Sequence, residues 1–235
     1  YDSTDMSNYQ IHPIFPTVIY QCNMTRWEEL LKHKKEYHFD PREPTDDGSY
    51  PSTGETRDKC MMHHDAELEP FFNDLTSNIK ICLEQASINT DKIIPYIMKT
   101  WCTMLDYSDD MREHTHACAD LSFIYYVDPP RDSFITFGNP NKNLNKYFDG
   151  VYDPRSPRRS LKRETNFINT QYQTLDVSKG DLFVFPSTLP HYVKSCEGKG
   201  TYLRSVAGDV KLMLNPEYTD LDTGLIHYSH WRSFG

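Results

Sequence analysis

From about residue 93 onward the chain is a succession of short apolar segments rich in β-branched and aromatic residues. They read YIMKTWCTMLDY, ADLSFIYYVD, SFITFG, QYQTLDV, GDLFVFP, HYVKSC and YLRSVAGDVKLML. Short connections of Gly, Pro, Asp or Ser separate most of them. Roughly six to eight strands at such spacing predict a sandwich or barrel and exclude the strand–helix–strand units of a parallel sheet. A length of 235 residues suits one such unit. Twelve Phe, sixteen Tyr and three Trp supply a core and exclude wholesale disorder.

The segment before residue 93 has a different character. Residues 11–20, short and broken by prolines, predict an edge strand. Thr25 followed by Glu28 is a capping-box pattern, and Trp27, Leu30, Leu31 and Tyr37 behind it fall near one helical face. A second helix is predicted to start near Glu69, with Pro70 in its first turn, and to run through Leu75, Ile79, Leu83 and Ala86. The expected organisation is a single domain over residues 1–235. A helical layer spans about 21–92, a β core about 93–213 and a tail 214–235, with one long interruption of the β pattern at 139–170.

Charge and cysteine usage narrow the setting. Thirty-four acidic against 25 basic residues give a net charge of −9, which weighs against nucleic acid as a partner. No apolar run reaches the roughly 20 residues that cross a bilayer, so no membrane partner is expected. The six cysteines at 22, 60, 82, 102, 118 and 196 form no CxxC pair, and no signal-peptide pattern opens the chain. These features predict a reduced, cytoplasmic protein.

Seven of the ten histidines are accounted for by ordinary surface or core roles. His12, His33, His38, His227 and His230 lie in helical or terminal contexts, and His63 and His64 precede a helix. The other three differ. His114 and His116 form an H-T-H at the start of a predicted strand, where residues i and i+2 point to one face. His191 follows the strand GDLFVFP far downstream. Two imidazoles from one strand and a third from a strand opposite can enclose a non-haem iron and leave positions open for substrate and dioxygen.

The phrases around these histidines carry more than the spacing. H-T-H-A-C-A-D-L-S-F-I-Y-Y-V, then G-D-L-F-V-F-P-S-T-L-P-H, then L-R-S-V-A-G-D-V, within about residues 100–213, resemble the iron(II)/2-oxoglutarate-dependent oxygenases, in particular their prolyl-hydroxylase-like branch. The resemblance implies a mainly β fold, a double-stranded β-helix (jelly roll) with N-terminal helices packed against its major sheet. It implies Fe(II), 2-oxoglutarate and dioxygen as cofactor and co-substrates, with His114 and His191 as iron ligands. By the same resemblance Arg204, Tyr126, Tyr107 and Ser122 would bind 2-oxoglutarate, the guanidinium meeting its C5 carboxylate as a planar fork. This chain has His116 where the family places a carboxylate. Asp120, on the strand parity of Ser122 and Tyr126, is the alternative third ligand or a partner that orients a ligating imidazole.

The activity implied is hydroxylation of an unactivated C–H bond, in a protein or peptide side chain such as proline or in a small molecule. Two other readings stay open: a cupin-type thiol dioxygenase with a three-histidine iron, and a non-catalytic metal-binding protein on the same fold. Arg155, Arg158, Arg159, Lys162 and Arg163 form a basic cluster inside 139–170. Its cations could steer an acidic substrate, or could simply neutralise acids elsewhere on the surface.

Overall fold

The structure is a computed structural model, and it describes residues 17–33, 61–106, 110–140, 157–158, 170–194, 202–218 and 227–233. The 155–163 basic cluster, apart from Arg158, lies outside the described residues, as does Tyr107.

Two helices precede all the strands but the first. α1 (Glu28–His33) grows from a 3-10 turn at Thr25–Trp27 whose N-cap is Met24, with no side-chain cap bond. The capping box expected at Thr25 and Glu28 therefore does not open this helix; Thr25 already lies inside the turn. α2 (Glu69–Gln85) starts where Pro70 predicts and buries Phe71, Leu75, Ile79 and Leu83 at spacings of four, one stripe of a 3.6-residue helix. Its entry is stabilised one turn upstream, where the Asp65 carboxylate accepts the Glu67 N–H at 2.9 Å.

The strands are β1 (Tyr20–Asn23), β2 (Ile93–Asp106), β3 (Asp110–His114), β4 (Leu121–Asp128), β5 (Phe134–Gly138), β6 (Tyr172–Asp176), β7 (Asp181–Pro186), β8 (His191–Lys194) and β9 (Tyr202–Leu214). The edge strand expected at 11–20 is found at the end of that range and beyond it, from Tyr20 to Asn23, pairing with β7 alone. One sheet has the order β1-β7-β4-β9-β2 and the other β3-β8-β5-β6, with antiparallel pairing inside each. From β2 to β9 the chain passes back and forth between the sheets, which is the jelly-roll path of a double-stranded β-helix.

Two cores result. Leu31 of α1 and Phe71, Leu75 and Ile79 of α2 pack with Tyr125, Val127, Val206 and Val210 on one face of the five-stranded sheet. Between the sheets lie Trp101, Ile124, Tyr126, Ile135, Phe137, Phe183, Phe185 and Ala207. Alternation along β4 and β9 thus serves both cores, the odd and even residues of each strand facing opposite ways. Among the described residues no helix is long and apolar enough to cross a membrane.

Candidate metal centre and its cavity

β3 and β8 run antiparallel, and their register sets His114 directly opposite His191. β3 ends at His114, however, so His116 is not the i+2 residue of a continuing strand. It sits in the turn that follows, where its N–H donates to Ser187 O at 2.9 Å. The turn still brings the three rings together. Centroids of His114 and His116 are 5.2 Å apart, those of His114 and His191 4.4 Å, and those of His116 and His191 5.1 Å. One potential ligand atom from each residue lies within 4.8 Å of the other two.

Hydrogen bonding fixes how each imidazole is presented. Nδ1 of His114 meets Arg112 O at 2.8 Å, and Nδ1 of His191 meets Leu189 O at 2.9 Å. Nδ1 of His116 meets Asp209 Oδ1 at 2.5 Å. Each partner is an oxygen that can only accept, so each neutral ring carries its proton on Nδ1 and its lone pair on Nε2. Three imidazoles oriented this way could hold a first-row metal ion through Nε2, each with an Nδ1 hydrogen bond already made. His191 is buried against Phe185, with ring centroids 4.7 Å apart. Burial pushes its pKa down to about 3, so the ring is neutral at physiological pH, as a ligand must be.

The cluster lies at a cavity of about 880 Å³. Register determines what the five-stranded sheet presents to it. Between β2 and β9, Lys99 pairs with Asp209, Trp101 with Ala207 and Thr103 with Ser205. Between β4 and β9, Ser122 pairs with Asp209, Ile124 with Ala207 and Tyr126 with Ser205. Directly paired residues share a face, so the inner surface reads as three cross-strand rows about 7 Å apart. Lys99–Asp209–Ser122 lies beside His116, Trp101–Ala207–Ile124 comes next, and the hydroxyls Thr103–Ser205–Tyr126 lie furthest along. Leu105, Met111, Phe185, Val193 and Leu203 complete an apolar wall. Trp101 stacks on His116 at 5.6 Å, and Lys99 Nζ lies 5.0 Å from the Trp101 ring centroid.

The residues expected to bind 2-oxoglutarate are dispersed by this register. Tyr126 is fully buried on the inner face, and its hydroxyl has no hydrogen-bond partner among the described residues. Burial raises its pKa, so it stays a phenol. Ser122 also faces inward, but its hydroxyl donates to Asp209 Oδ1 at 3.0 Å. Arg204 stands between Leu203 and Ser205, which both line the cavity. Strand alternation turns it to the helix-side face with Val206 and Val210, and its Nε is buried without a partner among the described residues. Asp120 does not join the histidines. Its Oδ1 accepts from Lys211 Nζ at 2.9 Å and its Oδ2 from Leu212 N–H at 2.8 Å. The carboxylate that does reach a candidate ligand is Asp209, which sequence reasoning missed. Its one signal was that it is the single acid of β9, on the parity of Ser205 and Ala207.

No curated protein matches the chain. Among solved structures, a 2OG-Fe(II) oxygenase family oxidoreductase from Burkholderia pseudomallei is 11% identical, with a TM-score of 0.38. That match covers 64% of this chain and 54% of the Burkholderia chain. A Trichoplax adhaerens prolyl hydroxylase, solved in complex with a hypoxia inducible factor peptide fragment, is 10% identical over 82% of this chain and 83% of its own, with a TM-score of 0.47. HygX from Streptomyces hygroscopicus, solved with iron bound, is 11% identical over 82% and 81%, with a TM-score of 0.43. Residues 99–207 match the model of the family described as "Putative 2OG-Fe(II) oxygenase". That stretch, just under half of the chain, contains the three histidines, Tyr126, Arg204 and most of the cavity wall, and it is similar to the 2OG-Fe(II) oxygenases over those residues.

Proposed function

We propose that this chain is an iron(II)- and 2-oxoglutarate-dependent dioxygenase that hydroxylates an unactivated C–H bond, with a peptide side chain such as proline as the leading substrate. The observation that carries the reading is the set of three imidazoles whose Nδ1 atoms are all committed, at the wall of a cavity, within a family-matched segment. His114, His116 and His191 would hold the iron. Bound there, iron and its co-substrate supply the redox chemistry: 2-oxoglutarate and dioxygen become succinate and CO2 as one oxygen atom enters the substrate as hydroxyl.

The chain's own residues position and shield. Leu105, Met111, Phe185, Val193 and Leu203 keep water from the reacting groups. Of the hydroxyl row Thr103–Ser205–Tyr126, Thr103 and Ser205 line the cavity, while Tyr126 lies buried behind it with a hydroxyl that has no partner among the described residues. A co-substrate whose keto-acid end is at the histidines can extend its C5 carboxylate toward that row, roughly two rows from Asp209. Arg204, on the opposite face, has no direct contact in this reading.

A three-histidine thiol dioxygenase is the second reading, favoured by a cluster in which, among the described residues, three histidines and no carboxylate converge. Succinate release separates the two. Anaerobically iron-loaded protein, given dioxygen, 2-oxoglutarate and a panel of proline peptides and small metabolites, should form succinate together with a hydroxylated product. Oxidation of a thiol with no succinate would replace the proposal by the second reading.

A further inference from the structure

We infer that Asp209 is a positioning residue of the metal centre: it orients His116 and lends it negative charge, completing a site whose three ligands are all neutral. This rests on the metal reading above and adds a fourth residue to it. Of the three imidazoles, His116 is the one outside a strand, so the pleat of a sheet does not set its ring. Two contacts do. Trp101 stacks on one face at a centroid distance of 5.6 Å, and Asp209 Oδ1 accepts from Nδ1 at 2.5 Å. Nδ1 of His114 and of His191 donates to a peptide carbonyl, whereas Nδ1 of His116 donates to a carboxylate.

The carboxylate is itself held. Asp209 lies on β9 between Lys99 of β2 and Ser122 of β4, and the Ser122 hydroxyl donates to the same Oδ1 at 3.0 Å. The side chains of His116 and Asp209 are 10% and 12% exposed, so solvent screens their interaction little. An imidazole whose N–H is bonded to a carboxylate is a stronger donor through its other nitrogen than one bonded to a carbonyl. Loss of such a partner typically lowers metal affinity roughly 10- to 100-fold. Asp209 has a second consequence for the fold. It belongs to the five-stranded sheet, while His114 and His191 belong to the four-stranded one, so its bond to His116 ties the ligand set to both.

Co(II), a visible-light probe for iron(II), tests this without turnover. Metal-free wild-type protein, Asp209→Asn, Asp209→Ala and Ser122→Ala would be titrated with Co(II), following the d–d bands, and each apo form melted. Asparagine keeps the shape and an acceptor oxygen but not the charge. The expected results are about 10-fold weaker binding with displaced bands for Asp209→Asn, about 100-fold for Asp209→Ala, and about 3-fold for Ser122→Ala, with the apo melting temperature of Asp209→Asn unchanged. Wild-type affinity and bands in Asp209→Asn would overturn the assignment. Should both Asp209 variants fail to fold, Ser122→Ala decides alone: weakened binding supports the role and wild-type binding overturns it. If wild-type protein itself takes up no Co(II), the metal reading falls first, and this inference with it.

Discussion

Thr100 ties the segment before α2 to β2 through one hydroxyl, which accepts the His63 N–H at 3.2 Å and bonds the ring Nδ1 at 3.0 Å. Burial, helped by neighbouring His64, lowers the His63 pKa from 6.5 to about 4. Between those values the unfolded chain binds a proton that the folded chain refuses. The stabilisation from a neutral His63 is therefore complete above pH 6.5 and is lost as pH falls toward 4. In His63→Gln the side chain keeps an acceptor for Thr100 but has no such proton to take. Its melting temperature should fall less steeply than that of wild type between pH 6.5 and 4; parallel curves would show that His63 does not govern this window. At the same scale, the two candidate co-substrate contacts separate cleanly. A hydrogen bond to a charged group contributes about 1.5–3 kcal/mol, so Tyr126→Phe should weaken anaerobic 2-oxoglutarate binding roughly 10- to 100-fold. Arg204→Ala should leave it near the wild-type value. The reverse pattern in a calorimetric titration would return the C5 carboxylate to the guanidinium.

β9 is the element on which the molecule's two faces meet. Residues 203, 205, 207 and 209 look toward the site, while Val206 and Val210 look toward α2. Gly208 lies on the second face at a point where the sheet leaves no room. A Cβ there would come within 2.6 Å of Lys99 O and of two Phe123 ring atoms. Because one obstacle is backbone, the strand pairing itself must shift, and Gly208→Ala should cost about 1–3 kcal/mol in a denaturant titration. A stability equal to wild type would mean that β2 and β9 give way freely. β9 also marks how far the sequence could be read. Its existence, like that of α2, β4 and β7, follows from apolar patterning that local rules make plain. The facing of Arg204 does not, since it depends on pairing with β2 and β4, and both ladders shift register, at Ile97/Lys99 and at Tyr126/Asp128. His114, His116 and His191 were legible because chemistry restricts what an H-T-H and a distal histidine are for. The strand geometry expected to align His114 and His116 was not the cause, because a turn does it. Asp209 stayed hidden because its partner is 93 residues away.

At the scale of the whole molecule, the candidate centre is a clasp between layers. His114 and His191 are paired across β3 and β8, His116 hangs from the turn leading into β4, and Asp209 holds it from the other sheet. A metal bound there fastens parts of the chain that are far apart in sequence and come together only on folding. The unfolded chain has no such site, so bound metal must add to stability by mass action, about 2.7 kcal/mol at a free concentration 100 times the dissociation constant. For a chain of this size that corresponds to a rise in melting temperature of roughly 5–10 °C. Melting with saturating Co(II) against melting in chelator measures it. His191→Ala is the control that fixes the origin of the effect, since it removes one ring from the cluster. The rise should appear in wild type, shrink in Asp209→Asn at fixed Co(II), and vanish in His191→Ala. An equal rise in all three proteins would place the stabilising ion somewhere other than between these sheets.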